Sequence, residues 1–272
     1  ACTADDNKMP PVVLTRSSSN REGEDLAEPL TAEALQVAKK AGTITLYGFD
    51  LSPPACKVRT LLDYYGLDHK YVVAYPGSKI EGLDNTYAKI PKLVIDTTQI
   101  NDSAVIYRAL APLVTSMPLT AEQVELEKRN NIHGLLGALE KETATSYGGI
   151  KEATKALVAE GSAWSFPFRA ALPYVSGLLF LPATLAFFRM PHGKDGGSLE
   201  HGHVYRKALG DANFFHGDIV GPLDLSLYAT LACFVKRLRS PAAIAVLNVC
   251  DLRNWYGRVD AAVRADRRTC SL

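Results

Sequence analysis

The sequence predicts an α+β domain followed by an all-α domain, and three observations carry that prediction. Between Thr43 and Val114, strand-patterned and helix-patterned runs follow one another in the order βαβ–ββα. From Thr120 onward, no run has convincing strand patterning. At 272 residues, 47% hydrophobic and 22% charged, the chain is a folded one long enough for two domains.

The elements follow in order. Residues 1–42 are polar, with "SSSNREGED" at their centre, and are expected to form an extended N-terminal arm. Inside it "LTAEALQVAKKAG" has the pattern of a short helix, with Thr31 as N-cap and Gly42 as stop. The first domain spans 43–114. "TITLYGF" reads as its first strand, "ACKVRTLLDYYG" as a helix ending at Gly66, and "HKYVVAY" as a second strand. "KLVID" and "TTQIND" are the third and fourth strands, and "DSAVIYRALAPLV" closes the unit as a helix capped by Asp102 or Ser103. The helical crossover makes the first two strands parallel, and the short connection makes the last two a hairpin. "TSMPLT" is a linker into the helical domain, 120–272, where residues 120–147, 148–161, 199–215, 222–238 and 254–268 read as helices.

Charge and cysteine usage exclude several classes of function. Thirty basic residues against twenty-nine acidic give a net charge of +1, without the basic excess of a nucleic-acid binder. The five cysteines are odd in number and widely spaced, with no CxxC pair, so neither a zinc ribbon nor a disulfide scaffold is indicated and a reducing compartment is expected. His201, Gly202 and His203, with His192 upstream, have no cysteine or fixed acidic partner nearby; a solvated loop and helix start is expected there, and no metal site. "HGKDGGS" lacks the spacing of a phosphate-binding loop. The chain opens at Ala1 without an initiator methionine, which is compatible with a processed form imported into an organelle and equally with a trimmed sequence.

Three stretches resemble the glutathione transferase superfamily, with its thioredoxin-like N-terminal domain, and within it the membrane-associated prostaglandin E synthase type 2 family. They are "LYGFDLSPPACKVRTLLDYYGL", "YAKIPKLVIDTTQINDSAVI", and "FFHGDIVGPLDLSLYATLACF" with "WYGRVDAAV". Aligned through "KVR", the family's Cys-Pro-x-Cys becomes Ser52-Pro53-Pro54-Ala55, and the tyrosine assisting the first cysteine becomes Phe49. A thiol at a helix N-terminus is useful because its pKa falls and a thiolate forms. A serine hydroxyl cannot ionise comparably and needs a base, or serves only to donate a hydrogen bond to a thiolate. Other glutathione transferases use such a serine, so Ser52 keeps a possible role. Cys56 is one position past the second cysteine, a rotation of about 100° on a helix, and is expected to be a core or partly buried residue.

The resemblance also implies a cis bond between Ile90 and Pro91 that turns the backbone toward an extended peptide such as glutathione; the alternative is a trans turn at the strand's start. It implies that Asp102 and Ser103 hold the γ-glutamyl end, although plain N-capping calls for the same residue types. Asp224 matches the buried capping aspartate of the helical domain, with Gly221 where serine or threonine would complete a capping box.

Ala170–Phe188 is uncharged over 19 positions between Arg169 and Arg189, and is interrupted by Pro173, Gly177 and Pro182. It reads as core or interface, ahead of membrane-surface contact and of a true span. Two functions follow. The first is a catalytically degraded accessory or scaffold subunit of a larger organellar, membrane-associated complex. It would dock through Ala170–Phe188 and the arm, require no cofactor, and sit at the mitochondrial inner membrane in preference to a plastid. The alternative is an active glutathione-dependent transferase or isomerase using Ser52.

Overall fold

The computed structural model describes residues 12–14, 44–96, 98–114, 119–160 and 196–266. They fall into two compact units, Ala1–Pro118 with Ala265–Leu272, and Leu119–Arg264.

The first unit is built on a mixed sheet. β2 (Ile44–Gly48) alternates buried and half-buried residues, as a strand with one covered face must. It pairs parallel with β3 (His69–Val73) and antiparallel with β4 (Lys92–Ile95), which forms the hairpin with β5 (Thr98–Asn101). The parallel pair and the hairpin are as expected; the antiparallel pairing of β2 with β4 joins them into one sheet. Within the described part of the arm, β1 (Val12–Leu14) pairs parallel with β5, a pairing not expected, giving the order β1-β5-β4-β2-β3. Without it β5 would present a row of unpaired backbone groups. The helix expected at 30–42 lies outside the described residues.

Helix α1 (Pro53–Tyr64) begins two residues before the predicted start, with Pro53 and Pro54 in its first turn, where backbone N–H groups have no intrahelical partner. It stops before Gly66, whose φ of 63° suits glycine. Helix α2 (Ser103–Val114) follows β5. Leu46, Leu93 and Ile100 form one cross-strand row and are fully buried, as are Val58, Leu61, Leu62, Ile106 and Leu110 from the helices. Each such side chain contributes roughly 1.5–3 kcal/mol.

The second unit is helical. The run expected as one helix over 120–147 is two, α3 (Ala121–Arg129) and α4 (Leu135–Ala144). Asn130 turns inward and donates to the Ser226 backbone oxygen and hydroxyl, at 3.1 and 2.9 Å. Asn131 Oδ1 accepts from the N–H groups of His133 and Gly134, so the chain leaves the helical path. Only glycine fits at 134, because a Cβ there would lie 2.1 Å from the Arg129 carbonyl oxygen.

Next come α5 (Tyr147–Glu160) and α6 (Ser198–Leu209). The helix expected through Phe215 ends at Leu209; the chain then makes short bridges at Phe214–Gly217 and His216–Ile219. Helix α7 (Pro222–Ala232) runs on into a π-helical turn, Cys233–Arg237. Helix α8 (Pro241–Val249), opened by Ser240, was not expected, and α9 (Arg253–Asp266) was. Trp255, Tyr205 and Phe234 are the large side chains of this core.

No helix among the described residues is long and apolar enough to cross a membrane. Ala170–Phe188 lies outside them.

Candidate functional site

Sheet register assembles the candidate site. Tyr47, Lys92 and Asn101 are cross-strand partners on three adjacent strands. The turn after β2, the residues before β4 and the residues after β5 therefore leave the sheet at one end. At about 4.8 Å per strand spacing, they span roughly 10 Å. That end carries Phe49–Ala55, Ile90-Pro91 and Asp102-Ser103.

At the first of these, Ser52 donates its backbone N–H to the Phe49 carbonyl at 3.0 Å, closing the turn. Its hydroxyl oxygen caps α1 by accepting from Ala55 N–H at 3.4 Å, and the residue is 7% exposed. Ala55 is fully buried, and a Cβ at Gly48 would lie 2.6 Å from its methyl. The Phe49 ring packs on Tyr75 with centroids 5.3 Å apart. Positions 49, 52 and 55 thus hold a phenyl, a hydroxyl and a methyl, none able to carry charge near neutral pH. Cys56 is half-buried and donates its thiol to the Asp50 carbonyl at 3.2 Å. Cys233 and Cys250 are buried, and burial pushes the Cys250 thiol up.

Sequence reasoning missed a cluster beside this turn. Arg59 pairs with Asp50 at 2.9 Å, and its guanidinium lies 4.6 Å from the Tyr71 ring centroid. The Tyr71 phenol hydrogen-bonds Asp50; burial first, then the Asp50 charge, push it well above the usual phenol range, so it stays neutral and donating. No local spacing announces this set, because Tyr71 reaches it from the neighbouring strand.

The Ile90–Pro91 peptide is cis and both residues are buried. Asp102 takes a φ of 75°, and its Oδ1 accepts from Ala104 N–H at 2.8 Å, so it is the cap of α2, with Ser103 as the first helical residue. Both side chains are half-buried. Capping engages one Asp102 oxygen, Oδ1.

Asp224 has a purely internal role. Fully buried, it accepts from Gly221 N–H at 3.1 Å, Phe215 N–H at 3.0 Å and the Trp255 indole at 2.7 Å. A hydroxyl residue at 221 would force the His216 ring to move, since its Cβ would lie 2.0 Å from His216 Nδ1. His201 is not solvated as expected but buried in α6, while His203 is exposed; His192 lies outside the described residues. No group of three metal-ligating side chains occurs among the described residues.

Residues 46–114 match the family model of the glutathione S-transferase N-terminal domain. The chain is similar to prostaglandin E synthase 2 of Danio rerio, 39% identical over 74 residues, covering 27% of this chain and 20% of the relative. It is also similar to the Mus musculus protein of the same name, 32% identical over 105 residues, covering 37% and 27% respectively. The chain thus spans about a fifth to a quarter of the curated relatives it matches. Among solved structures it resembles glutathione S-transferase III in apo form, at a TM-score of 0.49, 20% identity and coverage of 84% of this chain and 97% of that one. A glutathione S-transferase of Ceriporiopsis subvermispora in complex with glutathione gives 0.49, 17%, 85% and 100% for the same measures.

Proposed function

From a chain that carries a glutathione S-transferase N-terminal domain and is similar to prostaglandin E synthase 2 over 74 residues, we propose a catalytically degraded accessory or scaffold subunit of a larger assembly. One observation carries this reading. Ser52, at the nucleophile position, is 7% exposed and its hydroxyl serves as a helix cap, between a phenyl at 49 and a methyl at 55. A thiol-based cycle needs an ionisable sulfur there, and Ser52 does not ionise near neutrality. The sheet end bearing Pro91, Asp102 and Ser103 would persist as a peptide-binding surface, with glutathione as a possible ligand and no cofactor required. Docking through Ala170–Phe188 and the arm, at the mitochondrial inner membrane, completes the proposal.

The test is direct. Purified protein is assayed for prostaglandin H2 isomerisation, thiol–disulfide reduction and glutathione conjugation, and its native mass is measured in a gentle membrane extract. A large assembly without turnover is expected. Turnover abolished by Ser52→Ala would overturn the reading in favour of a glutathione-dependent transferase or isomerase. That second reading has support of its own: the Ser52 hydroxyl accepts a bond in capping and still has its proton to donate toward a thiolate.

A further inference from the structure

We infer that Lys92 and Asn101 hold a single inorganic anion of halide size beneath the loop Ile80–Thr86. The two residues are cross-strand partners, with Cβ atoms about 5 Å apart, on the sheet face opposite Leu93 and Ile100. Lys92 is 2% exposed and Asn101 is wholly enclosed.

The loop's own bonds orient the amides. Asp84 N–H donates to Gln99 Oε1 at 3.0 Å, so the other end of Gln99 is its nitrogen. That Nε2 donates to the Asp84 carbonyl at 3.0 Å and to Asn101 Oδ1 at 2.9 Å. With its oxygen taken, Asn101 presents Nδ2, a buried donor with no partner.

Lys92 Nζ donates to two uncharged oxygens, the Asp84 carbonyl at 3.1 Å and Asn85 Oδ1 at 3.2 Å. Among the described residues no carboxylate oxygen lies within 4.0 Å of it. The Asp84 carboxylate turns instead to the Thr86 N–H and hydroxyl, at 2.9 and 2.7 Å. Burial pulls the ammonium down from its ordinary value, and Asp84 opposes that pull only in part.

A buried cation that no carboxylate touches, only partly balanced by Asp84, and an orphaned buried donor are each costly. A water molecule would satisfy the amide and leave the rest of the charge unbalanced. An anion answers both, and a single-atom halide is the smallest that does. The site does not depend on whether the neighbouring turn is catalytic.

The test is thermal unfolding of the whole chain at constant ionic strength, in chloride or bromide against methanesulfonate. A saturable rise in Tm of about 3 °C is expected in the halides, at tenfold over Kd or more. Lys92→Met removes the halide dependence. Asn101→Asp removes it too, by supplying a carboxylate of its own, and remains informative should the methionine variant not fold. Bromide-soaked crystals should give an anomalous peak between Nζ and Nδ2. Equal Tm in all anions, a halide effect surviving in Asn101→Asp, or a water alone at that position overturns the proposal.

Discussion

Two helix starts, one in each unit, rest on a buried polar side chain and differ in how firmly it is held. Ser52 opens α1 with a single 3.4 Å bond to a neighbour three residues on. Asp224 opens α7 and also gathers the Phe215 loop and the Trp255 indole, through three bonds of 3.1 Å or less. The first position makes a local contact that many residues could replace. The second ties three segments together in a dry interior, where each stranded donor is costly. Position 52 could therefore change residue type without unfolding the protein, whereas the capping aspartate has no such latitude.

The sharpest way to break this comparison is Asp224→Ala. It strands three donors at once and should cost about 3–5 kcal/mol or prevent folding, read as the midpoint of denaturant unfolding. An unchanged midpoint would sink the contrast.

A second carboxyl sharpens it from the other side. Glu140, on α4, has no hydrogen-bond partner among the described residues, and loss of water pushes it up to about 7 from 4.5. Its folded-state value lies above the unfolded one, so the folded chain holds the proton longer. The contribution of Glu140 to stability should be greatest below pH 4.5, fall as pH rises toward 7, and level off beyond. The fall is up to about 3 kcal/mol, and Glu140→Gln should flatten that limb of the pH–stability curve.

Gly221→Ser, which restores a capping hydroxyl on paper, should destabilise by about 1–3 kcal/mol, because the new Cβ meets the His216 ring. A double-mutant cycle with His216→Ala should recover part of the loss. Smallest of all, Ser52→Ala should cost about 1 kcal/mol and Ser52→Gly a few tenths, by the same unfolding measurement.

Much of the fold was legible because its signals are local. Alternation marks Ile44–Gly48, and Gly66 and Asp102 punctuate the helices. What escaped depends on contacts distant in sequence or on patterns without contrast. β1 is specified by pairing with Gln99 and Ile100, far along the chain. The break between α3 and α4 depends on Asn130 finding Ser226, 96 residues away. Helix α8 is apolar nearly all round, so "PAAIAVLNV" shows no face, though Ser240-Pro241 was a usable start signal.

The candidate site divides the same way. The order of Phe49, Ser52, Pro91 and Asp102 could be read from the chain. The Asp50–Arg59–Tyr71 cluster could not, since it joins a turn, a helix and a strand. Lys92 did carry a clue: a lysine beginning an otherwise apolar strand, immediately after Pro91.

The packing of Gly48 against Ala55 has a consequence for substitution at this junction. Ala55 has no exposed surface, and even a Cβ at Gly48 would lie 2.6 Å from its methyl, so a sulfur added at 55 would enter a filled interior and displace neighbours. Ser52→Cys alone would place a solitary thiol at this turn, with the Ala55 methyl three residues on. A Cys-x-x-Cys pair spanning 52 and 55 would take two substitutions and a repacked junction between helix and strand.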